Sequence, residues 1–297
     1  MNPALTNLDT PRPQRSYAMW VTLLVLVILA TAMMWRGWDY YRQGLSARAL
    51  HRDYRLLNPG GFLGHGYGMV GTAMIVTNLL YLVRRRFAKY IPPQLGSMKA
   101  WLNAHAFTGL VGSLLVLFHS AFQLRTAVAT VTSLSLGIVV ATGLVGLYLY
   151  LLMPKAGLAP FRDRLAVYQP LLPALVQGVD DFVKRTPATS LPLDAGFVRT
   201  LWTVPRWARV ARTRRRGIRQ TARADKLFRV VARSDAALAR DLVDDLGDLA
   251  AAEVDTHAGR AVMGSWRSLH RFLAILMLVS VSVHIAVAWY YGFRWIF

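Results

Sequence analysis

Apolar residues gather along this chain into five long stretches, near Tyr17–Trp35, Gly66–Val83, Ala104–Leu124, Val131–Met153 and Leu269–Tyr291. A helix needs roughly 20 predominantly apolar residues to cross the hydrocarbon layer of a bilayer, so each stretch predicts a transmembrane helix. The first has features of a secretory signal, since Arg12 and Arg15 precede it and Ala30-Thr31-Ala32 mimics a cleavage site. Its apolar core is longer than the ~7–15 residues of a signal's central region, and a retained anchor is expected. Between the fourth and fifth stretches the pattern changes. Residues 154–262 hold 19 basic and 12 acidic side chains, which marks the segment as polar and outside the membrane. Prolines 160, 170, 173, 187, 192 and 205 punctuate its first half, and Leu227, Val230, Val231, Leu238, Leu242 and Leu246 predict helix over Thr221–Asp255. The division is therefore a tail at 1–16, four transmembrane helices at 17–153, a polar insertion at 154–262, and a fifth helix with the C-terminus at 263–297. The fold class expected is all-α, an integral membrane helical bundle with a helical insertion.

Composition agrees with a membrane setting. Only 17% of the 297 residues are charged and 55% are hydrophobic, against about 25% charged in an ordinary soluble domain. The absence of cysteine excludes disulfides, cysteine-ligated clusters, c-type haem attachment and thiol catalysis, leaving His, Met or carboxylate to hold any metal. The formal charge of +20 fits contact with anionic lipid and a biased topology. Short connections place seven basic residues on each side, with Arg12, Arg15, Arg84, Arg85, Arg86, Lys89 and Lys99 facing Arg36, Arg42, Arg48, Arg52, Arg55, Arg125 and Arg294. The Arg84–Arg86 run against a helix end and the basic long segment break the tie, so the N-terminus is expected inside the cell. The basic run from Arg206 to Arg223 has too few aromatic neighbours, in Trp202, Trp207 and Phe228, to stack bases. It suits lipid adhesion or an acidic redox partner, and no nucleic acid is expected.

Histidines carry the chemistry. His105 and His119 lie on the third span and His270 and His284 on the fifth, each pair 14 residues apart. In a helix that is about 21 Å of rise and about 1400° of rotation, so each pair shares nearly one face at two depths. The third and fifth spans cross the membrane in the same direction, which sets His105 level with His270 and His119 level with His284. Two imidazoles facing each other satisfy the two axial positions of a six-coordinate haem, and two such pairs predict two haem b groups. Gly109, Gly112 and Val116 on one span, and Ala274, Met277 and Val281 on the other, share the histidine faces. Small residues there admit a flat macrocycle or a neighbouring helix. A proton pathway or a transition-metal transport site is the competing use of the histidines, although no Asp or Glu falls inside any span.

The pattern His105-x13-His119 with His270-x13-His284, on helices separated by one other, resembles the four-helix di-haem core of cytochrome b and of ferric-reductase-like membrane proteins. The resemblance covers about Gly64–Met153 and Ser268–Gly292. It implies bis-histidine b-type haems and transmembrane electron transfer. Two signatures of those families are missing: a flavin- and nicotinamide-binding module, and the Pro-Glu-Trp-Tyr motif of a quinol-oxidising site.

Other candidates are secondary. Gly66-x-Gly68-x-x-Gly71 matches a dinucleotide fingerprint in letters, but it opens a membrane helix with no preceding strand. Tight helix packing explains those glycines better. His65 is expected near the level of His119 and His284, where it would meet a quinone, a haem edge or local backbone. Arg125, Arg267 and Arg271 are candidate partners for haem propionates. His51 and His257 are assigned no role, and Trp35, Trp38, Trp101, Trp289 and Tyr290 fit interfacial anchoring. The expected function is that of a cytochrome b subunit in a bacterial inner membrane, passing electrons between partner subunits or a quinone without bond chemistry of its own. A quinol dehydrogenase or quinone reductase is the enzymatic alternative.

Overall fold

The computed structural model describes residues 17–152, 163, 166, 169–170, 172–185 and 196–292. The tail at 1–16 with Arg12 and Arg15, the prolines at 160, 187 and 192, and Arg294 lie outside the described residues. All regular structure among the described residues is helical: α1 (Tyr17–Tyr41), α2 (Leu45–Arg48), α3 (Tyr54–Leu57), α4 (Phe62–Arg86), α5 (Met98–His119), α6 (Ala127–Leu152), α7 (Pro173–Arg185), α8 (Phe197–Ala224), α9 (Lys226–Ser234) and α10 (Ala236–Tyr290), with a 3₁₀ turn at Pro93–Leu95. Five helices, α1, α4, α5, α6 and α10, have the length and hydropathy to cross a membrane. Their outer faces are bare hydrocarbon, as at Trp20, Val27, Leu134 and Phe272, all more than half exposed. Such surface is stable only against lipid, and the protein is an integral membrane protein.

The chain divides into two compact units, residues 1–140 with 276–297 and residues 141–275. In the first unit α4 and α5 pack closely. A Cβ at Gly71 would stand 2.7 Å from the Gly112 carbonyl oxygen, and one at Gly112 would stand 2.9 Å from that of Gly71. Paired glycines let the two backbones touch, which is how lipid-embedded helices gain dispersion contacts without a hydrophobic driving force. Ile75, Leu136 and Met277 form a buried cluster with Val116 and Val281. Thr132 donates to the Ser280 carbonyl at 3.1 Å and Ser135 meets the Ser280 hydroxyl at 2.8 Å, polar links inside the apolar layer.

One end of this unit is closed by the α2–α3 segment. Tyr40 and Tyr41 of α1 are buried with Leu57, Phe118 and Ala121. Arg48, 6% exposed, donates to the carbonyls of Gln43, Tyr41 and Ala121 and lies over the Tyr40 ring. It thereby ties the ends of α1 and α5 together. The third predicted span ends earlier than its hydrophobic pattern indicates. Helix α5 stops at His119, and Ala121 (φ 47°) and Phe122 (φ 60°) are left-handed. Leu124 stays apolar without being helical, because the Arg48 clasp and the Tyr41–Phe118–Phe122 ring contacts set the turn instead.

The second unit is built from amphipathic helices. Leu175, Val179, Ile218, Phe228, Val243 and Leu246 form one core and Trp207, Ala211, Ala251 and Val254 another. Periodicity over Thr221–Asp255 predicts one helix, yet there are two breaks. Asp225 and Asp235 accept from the backbone N–H of Phe228 and Ala237. Aspartate at a helix start satisfies free amides there, which resets the helix twice. Pro205 lies inside α8 without ending it. Helix α10 runs unbroken through residue 262, where polar insertion gives way to apolar span. Hydropathy registers that change of environment; the backbone hydrogen bonds do not.

Candidate functional site

His119 is the last residue of α5, set against the glycine-rich start of α4. Its Nδ1 lies 2.8 Å from the Gly64 carbonyl oxygen. A carbonyl can only accept, so Nδ1 carries the hydrogen and Nε2 presents its lone pair. This is the arrangement that holds metal-ligating imidazoles, whose second nitrogen is tied to a backbone oxygen. Gly68 leaves the space the ring fills, since a Cβ there would stand 2.6 Å from Nδ1. Gly64 is equally constrained, because a Cβ on it would overlap the Asn58 carbonyl oxygen.

Two further imidazoles flank His119. The ring of His284 on α10 has its centroid 6.4 Å away at 84°, and His65 on α4 is also 6.4 Å away, at 62°. Two imidazoles on opposite sides of one metal, each with a bond of about 2 Å and about 1.1 Å from nitrogen to ring centre, have centroids about 6.2 Å apart. The interplanar angle is unconstrained by that geometry. Either neighbour is at a spacing compatible with two imidazoles on one metal, and the Nε2 of His119 lies outside its Gly64 contact. Among the described residues no group of three or more His, Asp or Glu could hold a bare metal ion.

His105 lies one glycine-lined stretch earlier on α5. Its ring centroid is 5.1 Å from that of Tyr81 on α4, tilted 38°. One turn on, the Thr108 hydroxyl donates to Asn78 Oδ1 at 2.5 Å. Gly109 and Gly112 therefore face α4, with Asn78 Nδ2 and the Gly71 carbonyl as neighbours. Of the two uses expected for these glycines, helix approach is the one observed.

His270 belongs to the second unit and is described there. Thr142 Oγ1 stands 2.9 Å from its Nδ1, and the Trp266 ring stacks on the imidazole at 5.2 Å and 18°. Trp266 Nε1 donates to the Thr142 carbonyl at 2.8 Å. Gly146 makes room for the indole, which any Cβ there would overlap, and Gly143 sits beside the His270 ring. The Thr142 hydroxyl engages Nδ1 and leaves Nε2 as the other ring nitrogen; a hydroxyl donates or accepts, so unlike the Gly64 carbonyl beside His119 it does not select the tautomer.

The remaining candidates differ in exposure. Arg125 and Arg271 are exposed, and Arg267 is half-buried. His51 accepts from the Asp53 N–H at 3.1 Å, a local turn contact. Part of the basic run is satisfied within the second unit: Arg215 pairs with Asp248 at 3.0 Å, Arg219 with Asp244 at 2.8 Å, and Arg214 is buried, donating to the Ala250 carbonyl. Sequence reasoning missed Thr142, Trp266, Tyr81 and the Gly64 carbonyl. The first three carry no motif, and a backbone carbonyl carries none by nature. No family model matches this chain, and no curated protein or solved structure matches it either.

Proposed function

We propose that this protein is a membrane cytochrome b subunit that carries electrons across the bilayer between two bis-histidine haem b groups. The observation that carries the proposal is the His119–His284 pair, with centroids 6.4 Å apart and the His119 Nδ1 hydrogen fixed on Gly64. The second pair, His105 and His270, rests on the 14-residue spacing that repeats along continuous α5 and α10. A haem iron held by two imidazoles supplies one-electron chemistry without binding substrate. The chain's own part is to present Nε2 lone pairs, to hold the rings through Gly64 and Thr142, and to surround them with water-excluding apolar residues. Along α5 the two histidine levels are about 21 Å apart, enough to reach both leaflets.

Arg84–Arg86 at the end of α4 and the polar 154–262 segment support an N-terminus and insertion on the cytoplasmic side of a bacterial inner membrane. Donor and acceptor are then partner subunits or a membrane quinone. A second reading, a quinol dehydrogenase, is favoured by one observation: half-buried His65, 6.4 Å from His119, offers a hydrogen-bonding group to a quinone carbonyl.

A visible spectrum and haem assay of the purified full chain test the proposal. Expected are a sharp α band on reduction and two haems per chain, falling to one in His119→Ala and in His284→Ala. A colourless protein made with ample haem supply, or a ratio of two in both variants, overturns it. Reduction of the haems by quinol in the isolated chain, lost in His65→Ala, selects the second reading.

A further inference from the structure

The C-terminal end of α4 contains a buried cation that none of the mechanism above uses. Arg84 is only 6% exposed, although it sits in the last turn of a span where arginine ordinarily reaches for water. Its neighbours Arg85 and Arg86 do so. The Nη2 of Arg84 donates to the Gly96 carbonyl at a long 3.4 Å, and its buried Nε–H meets no acceptor among the described residues. A guanidinium withdrawn from water with a donor unmet is costly unless an anion completes it.

Among the described residues of this unit none lies nearby. No Asp or Glu occurs from Tyr54 to Arg162, nor from Leu276 to Phe297. The acids of this unit that are described, Asp39 and Asp53, belong to the opposite end, where they pair with Arg42 and Arg36. The start of α5, capped by Ser97, turns free amides toward the same end, and the last carbonyls of α4 place partial negative charge there. Arg84 also follows Tyr81 by three residues on α4, hence on nearly the same helix face. The Tyr81 ring is the one beside His105.

We infer that Arg84 is the anchor for a carboxylate of the group ligated by His105, a haem propionate. This rests on the proposed function and adds a residue to it that the sequence candidates Arg125, Arg267 and Arg271 do not include. A bidentate or forked guanidinium–carboxylate contact satisfies the stranded Nε–H and offsets the propionate charge. That charge balance favours the reduced iron, which carries one more electron, so Arg84 raises the midpoint potential of this haem. A lipid phosphate shares the anionic chemistry, but a side chain enclosed between α4 and the turn before α5 suits a ligand inside the bundle.

The test is a two-by-two comparison of midpoint potentials in the purified full chain. Wild type and Arg84→Gln are each loaded with haem b and with its dimethyl ester, in which both propionates are blocked. His105→Ala identifies which potential belongs to the neighbouring haem. Expected is a downward shift of that potential alone in Arg84→Gln with haem b, no difference between the two proteins with the ester, and no shift in Arg85→Gln. Arg84→Lys, which keeps the charge, stands in the same comparison if Arg84→Gln does not assemble, and its expected shift is smaller. Two haems with potentials indifferent to Arg84, an equal shift with haem and ester, or loss of bound lipid phosphorus at unchanged potentials would overturn the inference while leaving the cytochrome reading intact. A chain that binds no haem would remove both.

Discussion

The Nδ1 hydrogen of His119 points at the carbonyl oxygen of Gly64, 2.8 Å away, across the junction of α5 with the start of α4. One backbone acceptor therefore selects the tautomer, and with it the nitrogen available to a metal. Gly68, a turn later on α4, supplies the room. The pair explains why a glycine cluster and a histidine 55 residues apart behave as one unit.

Gly68→Ala sets a Cβ 2.6 Å from the His119 Nδ1 and must rotate or displace the ring. Haem content is expected to fall from two per chain to one, with the second haem's spectrum unchanged. A pyridine haemochrome assay against protein concentration checks it, and full retention of both haems would contradict the assigned ring position.

His65 and His284 stand equally far from His119, so substitution separates them. His284→Ala should leave one haem, whereas His65→Ala should keep both and at most shift one potential. The reverse result in stoichiometry would move the axial role to α4.

Arg48→Met removes the donor to the carbonyls of Gln43, Tyr41 and Ala121 at a buried site. Leaving those acceptors unmet is expected to cost about 3 kcal/mol or more. Thermal unfolding in detergent measures it, and a loss within error would mean that the clasp is dispensable.

Ala121 occupies the left-handed region at φ 47°, where a side chain costs about 1–2 kcal/mol relative to glycine. Ala121→Gly relieves that strain but gains unfolded-state freedom of about 0.5–1 kcal/mol. A net stabilisation below about 1 kcal/mol is expected, visible as a small rise in melting temperature.

The Ser280 links to Thr132 and Ser135 cross the apolar layer, where such bonds contribute about 0.6 kcal/mol on average. Thr132→Val and Ser135→Ala should each destabilise by less than about 1 kcal/mol and leave haem content at two. A large loss in either would mark the links as organising elements.

Five membrane helices were legible from the sequence because hydrocarbon imposes one rule on every residue of a span, and hydropathy reads that rule position by position. The histidine spacing was legible for a related reason: rise and rotation per residue are constant, so 14 residues always separate two sites on one helix face by about 21 Å. The ends of elements were harder. Helix α5 stops at His119 through a clasp from Arg48, 71 residues away in sequence, and α9 and α10 are reset by Asp225 and Asp235, whose capping role depends on backbone geometry.

Sequence alone determined what is additive along the chain: the spans, the lack of cysteine, the two 14-residue histidine spacings and the lack of any carboxylate between Tyr54 and Arg162. Tertiary structure decided which neighbours those residues acquire. That Gly64 fixes His119, that Trp266 and Thr142 frame His270, and that Arg84 rather than Arg85 or Arg86 is withdrawn from solvent all follow from how helices rotate against one another. Rotation is settled by shape at the contact, as where Gly71 meets Gly112, and shape complementarity between distant segments leaves no periodic trace in either one.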